Sequence, residues 1–276
     1  MAIITINRGS YSRGKQVAEK LAEKLGYECI SRDILLEASD EFNIPEVKLI
    51  RALHDPASVL ERFRHGKDRY ISYIYAALLQ HVRKDNIVYH GLAGQFFLRD
   101  IPHVLKVRVI ADMKDRVKEE MRRENISAEE ALYILNKDDE ERRKWALQLY
   151  GADSWDSRLY DIVLHIGRLT VDNAVDILFD TVQKPNFQTS GESRQLVDDL
   201  ALSATVKAAL TKIAPKVKTA ADHGKIHISN LDNEKGSKEE AQIKAIAMQV
   251  DGVEEVIFKA HVPKEQHNRV NPFHNI

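Results

Sequence analysis

The hydrophobic and polar positions along the chain follow two periods, one typical of buried strands and one typical of amphipathic helices. Residues 2–7 (AIITIN) form a short apolar run that predicts a buried β-strand. From Gln16 to Leu25 the apolar positions recur at helical spacing, and Gly26 supplies a C-terminal stop. The chain therefore opens with a strand, a loop rich in small residues and a helix.

The same alternation continues to about residue 182. A second helix is predicted to start at Arg32 or Asp33. Further strands are predicted at 86–91, 104–111 and 160–166, and helical segments at 45–85, 113–150 and 171–182. Strands that alternate with helices favour an α/β fold whose parallel sheet is covered on both faces.

A change of composition separates a smaller second unit from this region. Residues 184–193 (KPNFQTSGES) concentrate turn-forming residues and predict a linker between a domain over 1–183 and a small αβ domain over 194–262. The small domain is predicted to contain a helix at 194–213, a strand at 225–231, a helix at 238–250 and a strand at 254–262. The polar tail over 263–276 is expected to be disordered.

Composition and charge narrow the function classes. The 276 residues include 41 Lys and Arg against 42 Asp and Glu, so a whole-molecule attraction to nucleic acid or to a membrane surface is not indicated. The first residues do not resemble a signal peptide, and no apolar run reaches about 18 residues, so we expect a cytoplasmic protein without a transmembrane segment. Cys29 is the only cysteine, and the histidines lack metal-ligand spacing, so neither an intrachain disulfide nor a zinc site is predicted.

The loop after the first strand carries the strongest chemical signal. Residues 9–15 (GSYSRGK) fit the G-x-x-x-x-G-K part of a Walker A motif, in which glycines let backbone N–H groups point at phosphate oxygens. Lys15 would reach the β and γ phosphates, and the following helix adds its N-terminal dipole. Gln16 departs from the motif, because a Ser or Thr normally stands there and supplies a hydroxyl to Mg²⁺. The alternative interpretation is a βα turn with a surface lysine.

The predicted nucleotide-binding residues are those of the loop and the first helical turn. They are Gly9, Ser10, Tyr11, Ser12, Arg13, Gly14, Lys15 and Gln16.

Three longer segments resemble the cytidylate kinase-like family, a branch of the P-loop nucleoside monophosphate kinases. The segments are ITINRGSYSRGKQVAEKLAEKLGY, NIVYHGLAGQFFLRDIPHVLKVRVIA and DDEERRKWALQLYGADSWDSRLYDIVLHIG. The resemblance implies the three-layer P-loop kinase fold. It also implies transfer of the γ-phosphoryl group of ATP, taken with Mg²⁺, to a nucleoside monophosphate, with CMP or dCMP as the first expectation.

The resemblance also implies roles for individual side chains. Asp139 and Arg142 occupy the D-x-x-R pattern of the family's lid helix, and Lys15, Arg142 and Arg143 are the catalytic candidates. Arg116 and Arg122 would belong to the lid with Asp139, and the acceptor-binding candidates are Asp33, Arg62, Arg64 and Gly91. The chain departs from the family at Ser31, where an Asp is frequent, and at Leu92, where an Arg is frequent.

Plainer interpretations remain open for the charged and aromatic residues of this region. The arginines could lie on solvated helix faces, in i,i+4 pairs of Asp138 with Arg142 and of Asp139 with Arg143. Trp145 and Trp155 lie near the lid, where they are expected to serve packing rather than stacking on a base.

Residues 194–262 resemble a BON-type domain. The resemblance rests on LVDDLALSATVKAAL, KIHISNL, EEAQIKAIAMQV and the Gly252-Val253 turn before Val256. It implies a small module without catalytic residues that binds a ligand or a protein partner.

Three functions remain open on the sequence. The first is a nucleoside monophosphate kinase. The second is a non-catalytic nucleotide sensor whose BON-like domain binds a partner, which Gln16 and Leu92 favour. The third is an assembly element that binds no nucleotide.

Overall fold

A parallel five-stranded sheet organises the first two thirds of the chain. The computed structural model describes residues 1–31, 66–91, 94–231 and 236–258, and the elements are numbered within these ranges. The strands are β1 (Ile3–Arg8), β2 (Glu28–Ile30), β3 (Ile87–His90), β4 (Val104–Ala111) and β5 (Ile162–Ile166). Their order is β2-β3-β1-β4-β5, and every neighbouring pair is parallel.

Helices cover both faces of this sheet. They are α1 (Gly14–Leu25), α2 (Gly66–Val82), α3 (Gly94–Phe97), α4 (Met113–Glu124), α5 (Ala128–Tyr150) and α6 (Val171–Val182). The arrangement confirms the predicted α/β class with a covered parallel sheet. Across the described ranges, none of the helices combines the length and the apolar character needed to cross a bilayer.

The central strand is buried on both faces because helices lie above and below it. Ile4 and Ile6 of β1 pack with Leu21 of α1 and Leu178 of α6 in one core, whereas Ile3 packs with α2 and α3 in the other. Each fully buried Leu or Ile side chain stabilises the fold by about 1.5–3 kcal/mol. The two cores hold β1 rigidly, so the loop that follows it starts from a fixed point.

The helical segment predicted at 113–150 is two helices. Asn125 adopts a left-handed backbone with φ 56° and ends α4. Ser127 and Glu130 then form a capping box that starts α5. The turn between them lets α4 and α5 fold back on each other beside the loop after β1.

A second, three-stranded sheet lies near the C-terminus. It consists of β6 (Lys218–Asp222), β7 (Lys225–Ser229) and β8 (Glu255–Phe258), with α7 (Gly191–Leu210) and α8 (Gly236–Ala247) packed on it. The strand β6 pairs antiparallel with β7, and β8 pairs parallel with β7. The sequence did not predict β6, and the BON-type resemblance stays a prediction.

The helix α7 belongs to both units. Its residues Val197, Ala201, Ala204 and Ala208 pack in the same core as α2, whereas Val206 and Leu210 pack in the core of the small sheet. The segment predicted as a linker is also fastened to the first unit, because the Thr189 N–H donates to the Met1 carbonyl at 2.9 Å. The predicted domain boundaries stay predictions, but the C-terminal unit shares a helix with the first unit.

Candidate active site

The loop between β1 and α1 contains two residues with left-handed backbone. β1 ends at Arg8 and α1 begins at Gly14. Between them, Tyr11 has φ 54° and Arg13 has φ 64°, a conformation that costs an ordinary residue about 1 kcal/mol or more. The two glycines of the Walker A pattern, Gly9 and Gly14, are not the residues with left-handed backbone. These glycines are therefore not required for that conformation.

Gly9 and Gly14 instead allow close packing. A Cβ added to Gly14 would lie 2.6 Å from the Cβ of Arg8, which is closer than two carbon atoms can approach. A Cβ added to Gly9 would lie 3.4 Å from Nη2 of Arg116. Gly14 therefore lets the start of α1 contact the end of β1, and Gly9 lets a guanidinium group lie against the loop.

The helix α1 presents an open N-terminus at this loop. The Arg13 side chain makes no capping hydrogen bond, and the first turn holds no acidic residue. The Val17 N–H donates to the Arg13 carbonyl at 3.1 Å, which is the first i to i−4 hydrogen bond of α1. The N–H groups of residues 14–16 therefore have no acceptor within the helix. These donors and the helix dipole favour an anion at this end.

A cleft of about 310 Å³ opens beside the loop, at the carboxyl ends of β1 and β4. Ligands of open parallel sheets bind at this edge. Among the described residues that line it, the charged ones are Arg8, Arg108, Arg116, Arg142 and Asp139. Four guanidinium groups and one carboxylate give the lining a net charge of +3, which favours a polyanionic ligand.

Arg116 of α4 joins the loop to α5. Its Nε donates to the Ser10 carbonyl at 2.7 Å, and Nη1 and Nη2 donate to the two Asp139 carboxylate oxygens at 2.7 and 2.9 Å. The arginine side chain is 8% exposed and the aspartate side chain 16%. This buried, bidentate pair fixes the position of α5 relative to the loop.

Arg142 of α5 also contacts the loop. Its Nη2 donates to the Ser10 hydroxyl at 2.7 Å, and that hydroxyl donates to Asp138 Oδ2 at 3.1 Å. Its Nη1 lies 3.4 Å from the Arg8 carbonyl. The D-x-x-R residues Asp139 and Arg142 therefore both lie in the cleft beside the loop, and their role in a lid stays a prediction.

Two cleft arginines, Arg8 and Arg108, were missed by the sequence analysis. Arg108 lies on β4 and donates through Nη1 to the Ser154 carbonyl, which also accepts from the Tyr160 hydroxyl at 2.8 Å. Burial raises the pKa of Tyr160 to about 12, so this hydroxyl stays a donor at neutral pH. The hydrogen bond from Arg108 to the Ser154 carbonyl does not neutralise the Arg108 charge, because a carbonyl oxygen is uncharged.

Tyr11 of the loop turns toward α4 rather than into the cleft. Glu120 lies beside its side chain, and the Arg123 guanidinium lies 5.6 Å from the centre of its ring. Burial, followed by the neighbouring Glu120, raises the pKa of Tyr11. The Tyr11 contacts therefore hold a loop position whose backbone is strained.

The predicted phosphate lysine lies outside the cleft lining. Lys15 is 62% exposed, and its Nζ is 3.5 Å from Glu19 Oε1 on the next turn of α1. The buried face of α1 begins with Gly14 and Val17, so Lys15 and Gln16 fall on its exposed side. The structure thus brings the arginines to the cleft and leaves the lysine beside it.

The other predicted residues are distributed as follows. Arg122 is 77% exposed and pairs with Glu119 at 2.5 Å, so it does not line the cleft, because α4 turns that face to solvent. Gly91 follows β3 outside the cleft lining, and its missing side chain leaves room for the Tyr89 hydroxyl. Three acceptor-site candidates lie outside the described residues, namely Asp33, Arg62 and Arg64.

Arg143 contacts Asp153 and Trp155 instead of the cleft interior. Its Nε and Nη2 donate to Asp153 Oδ2 at 2.9 and 2.6 Å, and its guanidinium carbon lies 4.7 Å from the centre of the Trp155 ring. Burial raises the pKa of Asp153, but the hydrogen bonds from Arg143 and from the Trp155 N–H outweigh it and leave this pKa lowered. Trp155 lines the cleft and is 51% exposed, so packing covers only part of its side chain.

The lining does not fit a magnesium ion held by the protein. Mg²⁺ prefers carboxylate and water oxygens in octahedral geometry. The carboxylate among the described lining residues, Asp139, already accepts two hydrogen bonds from Arg116. The hydroxyl expected at position 16 is replaced by an exposed Gln16.

Comparison with known proteins identifies relatives over the first unit. A 175-residue alignment with the cytidylate kinase of Sulfolobus acidocaldarius is 23% identical and covers 63% of this chain and 90% of that protein. A 100-residue alignment with the cytidylate kinase of Thermococcus kodakarensis is 27% identical and covers 36% of this chain and 51% of that protein.

A solved structure shares the fold. The crystal structure of an uncharacterized protein from Eubacterium ventriosum superimposes with a TM-score of 0.50 at 22% identity, covering 67% of this chain and 99% of that one. The family model described as "Cytidylate kinase-like family" matches residues 3–168, which include the five-stranded sheet, the loop, α4 and α5. The chain therefore belongs to the cytidylate kinase-like family.

Proposed function

We propose that the protein is a nucleoside monophosphate kinase that transfers the γ-phosphoryl group of ATP to CMP, dCMP or a related acceptor. The observation that carries the proposal is the arginine-lined cleft beside the open N-terminus of α1. Phosphoryl transfer requires positive charge around the oxygens of the moving group, and a lining of net charge +3 supplies it. The acceptor is proposed from the names of the two archaeal relatives.

The reaction needs little from the protein beyond position and charge. An oxygen of the acceptor's phosphate attacks the γ phosphorus, and the bond from that phosphorus to the β–γ bridging oxygen breaks, which leaves ADP. A phosphate monoester has its second pKa near ~6, so the attacking oxygen is already ionised at neutral pH. The chain therefore needs no side chain to act as a general base.

We assign the phosphate contacts to the loop and to the cleft arginines. The N–H groups at the start of α1 would hold the donor's phosphates, and Arg142 would bridge toward the moving group from α5. Arg116 would act as a positioning residue, because the bidentate pair with Asp139 neutralises its charge and its Nε is used by Ser10. The magnesium would enter as part of MgATP, coordinated by phosphate oxygens.

The test is an assay that couples ADP release to a visible signal, with CMP, dCMP, UMP, AMP and GMP as acceptors. We expect turnover with a cytidine nucleotide. Arg142→Met should lower kcat/KM by about 10²–10³, the usual effect of removing one transition-state donor. Arg122→Met, which removes an exposed arginine from the neighbouring helix, should leave kcat/KM within about twofold.

Two outcomes would speak against a kinase or in favour of the sensor alternative. Folded protein that turns over none of the five acceptors is not a kinase for these nucleotides. Calorimetry that then detects tight ATP binding would support the sensor alternative. Lys15→Ala forms a separate arm, because a loss as large as that of Arg142→Met would show that the lysine swings into the cleft during the reaction.

A further inference from the structure

Trp155 is an exposed aromatic residue at the edge of the charged cleft. Its side chain is 51% exposed although it lines the cleft. A large apolar ring left in water at a concave, polar site indicates a ligand surface more than a packing element. The ring therefore needs a functional explanation.

The indole is held in place by neighbours that leave part of it uncovered. The backbone N–H of Trp155 donates to Asp153 Oδ1 at 2.9 Å, which fixes the main chain at this residue. Asp153 Oδ2 holds the Arg143 guanidinium, which lies 4.7 Å from the ring centre. One side of the ring is thus covered by a cation, and a pre-oriented aromatic surface remains.

The arginines near this ring suit the phosphates of a nucleotide, and the ring itself suits the nucleobase. The residue before it, Ser154, binds Arg108 through its carbonyl, and Arg108 and Arg142 line the same cleft. Arginine side chains attract phosphates. Every nucleobase, whichever of the common bases it is, has a flat π-face that can stack on an aromatic side chain. A single ligand with both parts would use both halves of the cleft.

We propose that Trp155 is the stacking platform for the nucleobase of a nucleotide bound in this cleft. The proposal rests on the proposed kinase function, since it takes the cleft to be a nucleotide site. The shared chemistry is a planar nucleobase, and the donor ATP and the acceptor CMP are the two sources that the test separates.

The test uses tryptophan fluorescence of the full chain, which contains two tryptophans, Trp145 and Trp155. Wild-type protein is titrated with ATP, with CMP and with inorganic tripolyphosphate, which has the charge of a nucleotide without its base. We expect at least one nucleotide to quench the emission, and tripolyphosphate to bind without quenching. The nucleotide that quenches identifies the base that stacks.

Three variants locate the effect. Trp155→Phe keeps a smaller ring and should abolish the quench while Trp145 still emits. Trp155→Ala should weaken the affinity for that nucleotide by roughly 5- to 100-fold, as measured by calorimetry. Tyr133→Ala, at a residue of α5 that is 68% exposed and outside the cleft lining, is the control and should change neither quantity.

The inference is overturned if Trp155→Phe retains the quench, if tripolyphosphate quenches as strongly as the nucleotides, or if Trp155→Ala binds as tightly as wild type. Its failure is separable from that of the kinase function. Turnover with an unchanged quench in Trp155→Phe would remove the stacking role alone. A Trp155-dependent quench without turnover would remove the kinase function alone, and absence of all nucleotide binding would remove both.

Discussion

Arg116→Met tests whether the buried pair between α4 and α5 holds the phosphate loop in shape. The substitution keeps an unbranched apolar stem of similar reach and removes the guanidinium. It takes away the donor to the Ser10 carbonyl and both donors to Asp139. The aspartate, which is 16% exposed, then lacks its bonded cation.

The size of the effect follows from the burial of the pair. Removing one partner of a fully buried pair costs about 3–5 kcal/mol, because the other charge remains uncompensated. The partial exposure of Asp139 lets water reach it, so we expect about 2–4 kcal/mol here. For a domain of this size each kcal/mol lowers Tm by roughly 2–4 °C, so the variant should melt about 5–15 °C below wild type.

The assay is thermal unfolding followed by circular dichroism, with two further variants. Arg122→Met is the matched control on the same helix, since its pair with Glu119 is at the surface, and we expect a change of about 1 °C. The double variant Arg116→Met with Asp139→Leu removes both charges and should recover most of the lost Tm.

Two results would refute this reasoning. A Tm for Arg116→Met that equals that of Arg122→Met would mean that the pair contributes nothing. A double variant less stable than Arg116→Met would mean that the uncompensated aspartate is not the source of the loss.

Three further predictions concern packing and charge elsewhere. Gly14→Ala should lower both the melting temperature and the nucleotide affinity measured by calorimetry, because its Cβ would lie 2.6 Å from the Cβ of Arg8. Gly191→Ala is the control and should change neither quantity, because the space around Gly191 is open. Asp153→Asn should be less stable than wild type by a constant margin from pH 8 to 5. A carboxylate with a lowered folded pKa contributes its full stability above the unfolded value of ~3.9, so the margin should start to shrink near that pH and disappear as the pH falls through the lower folded pKa; a margin that grows in acid would contradict this. A chain ending after residue 183 should melt well below the full chain because the core on α2 loses the apolar face of α7, and equal melting temperatures would show independent domains.

The fold was predictable because its signals are local. Strand and helix periods depend on neighbouring residues, so the helix at 171–182 and the strand at 104–111 were predicted with the bounds that the structure has. Three elements were missed for lack of such a signal: β2 with three residues, α3 with four, and β6, whose KTAAD sequence has little β-branched character.

The site was predictable only in part, because tertiary contacts decide it. The loop was located from its small residues, but which cations face the cleft depends on helix packing. Asp139 and Arg143 were suggested to pair with each other, but Asp139 pairs with Arg116 and Arg143 pairs with Asp153. Arg108 lay within a strand pattern and carried no motif that could have marked it.

The proposed kinase function requires the cleft to transfer a phosphoryl group between two nucleotides. The most direct measurement supplies ATP labelled with ³²P at the γ position together with unlabelled CMP, and separates the products by thin-layer chromatography. We expect the label to move to the β phosphate of CDP, and Arg142→Met to slow this transfer by about 10²–10³ while Arg122→Met does not. Label that stays in ATP, or that appears only as inorganic phosphate, would mean that the cleft does not carry out this transfer.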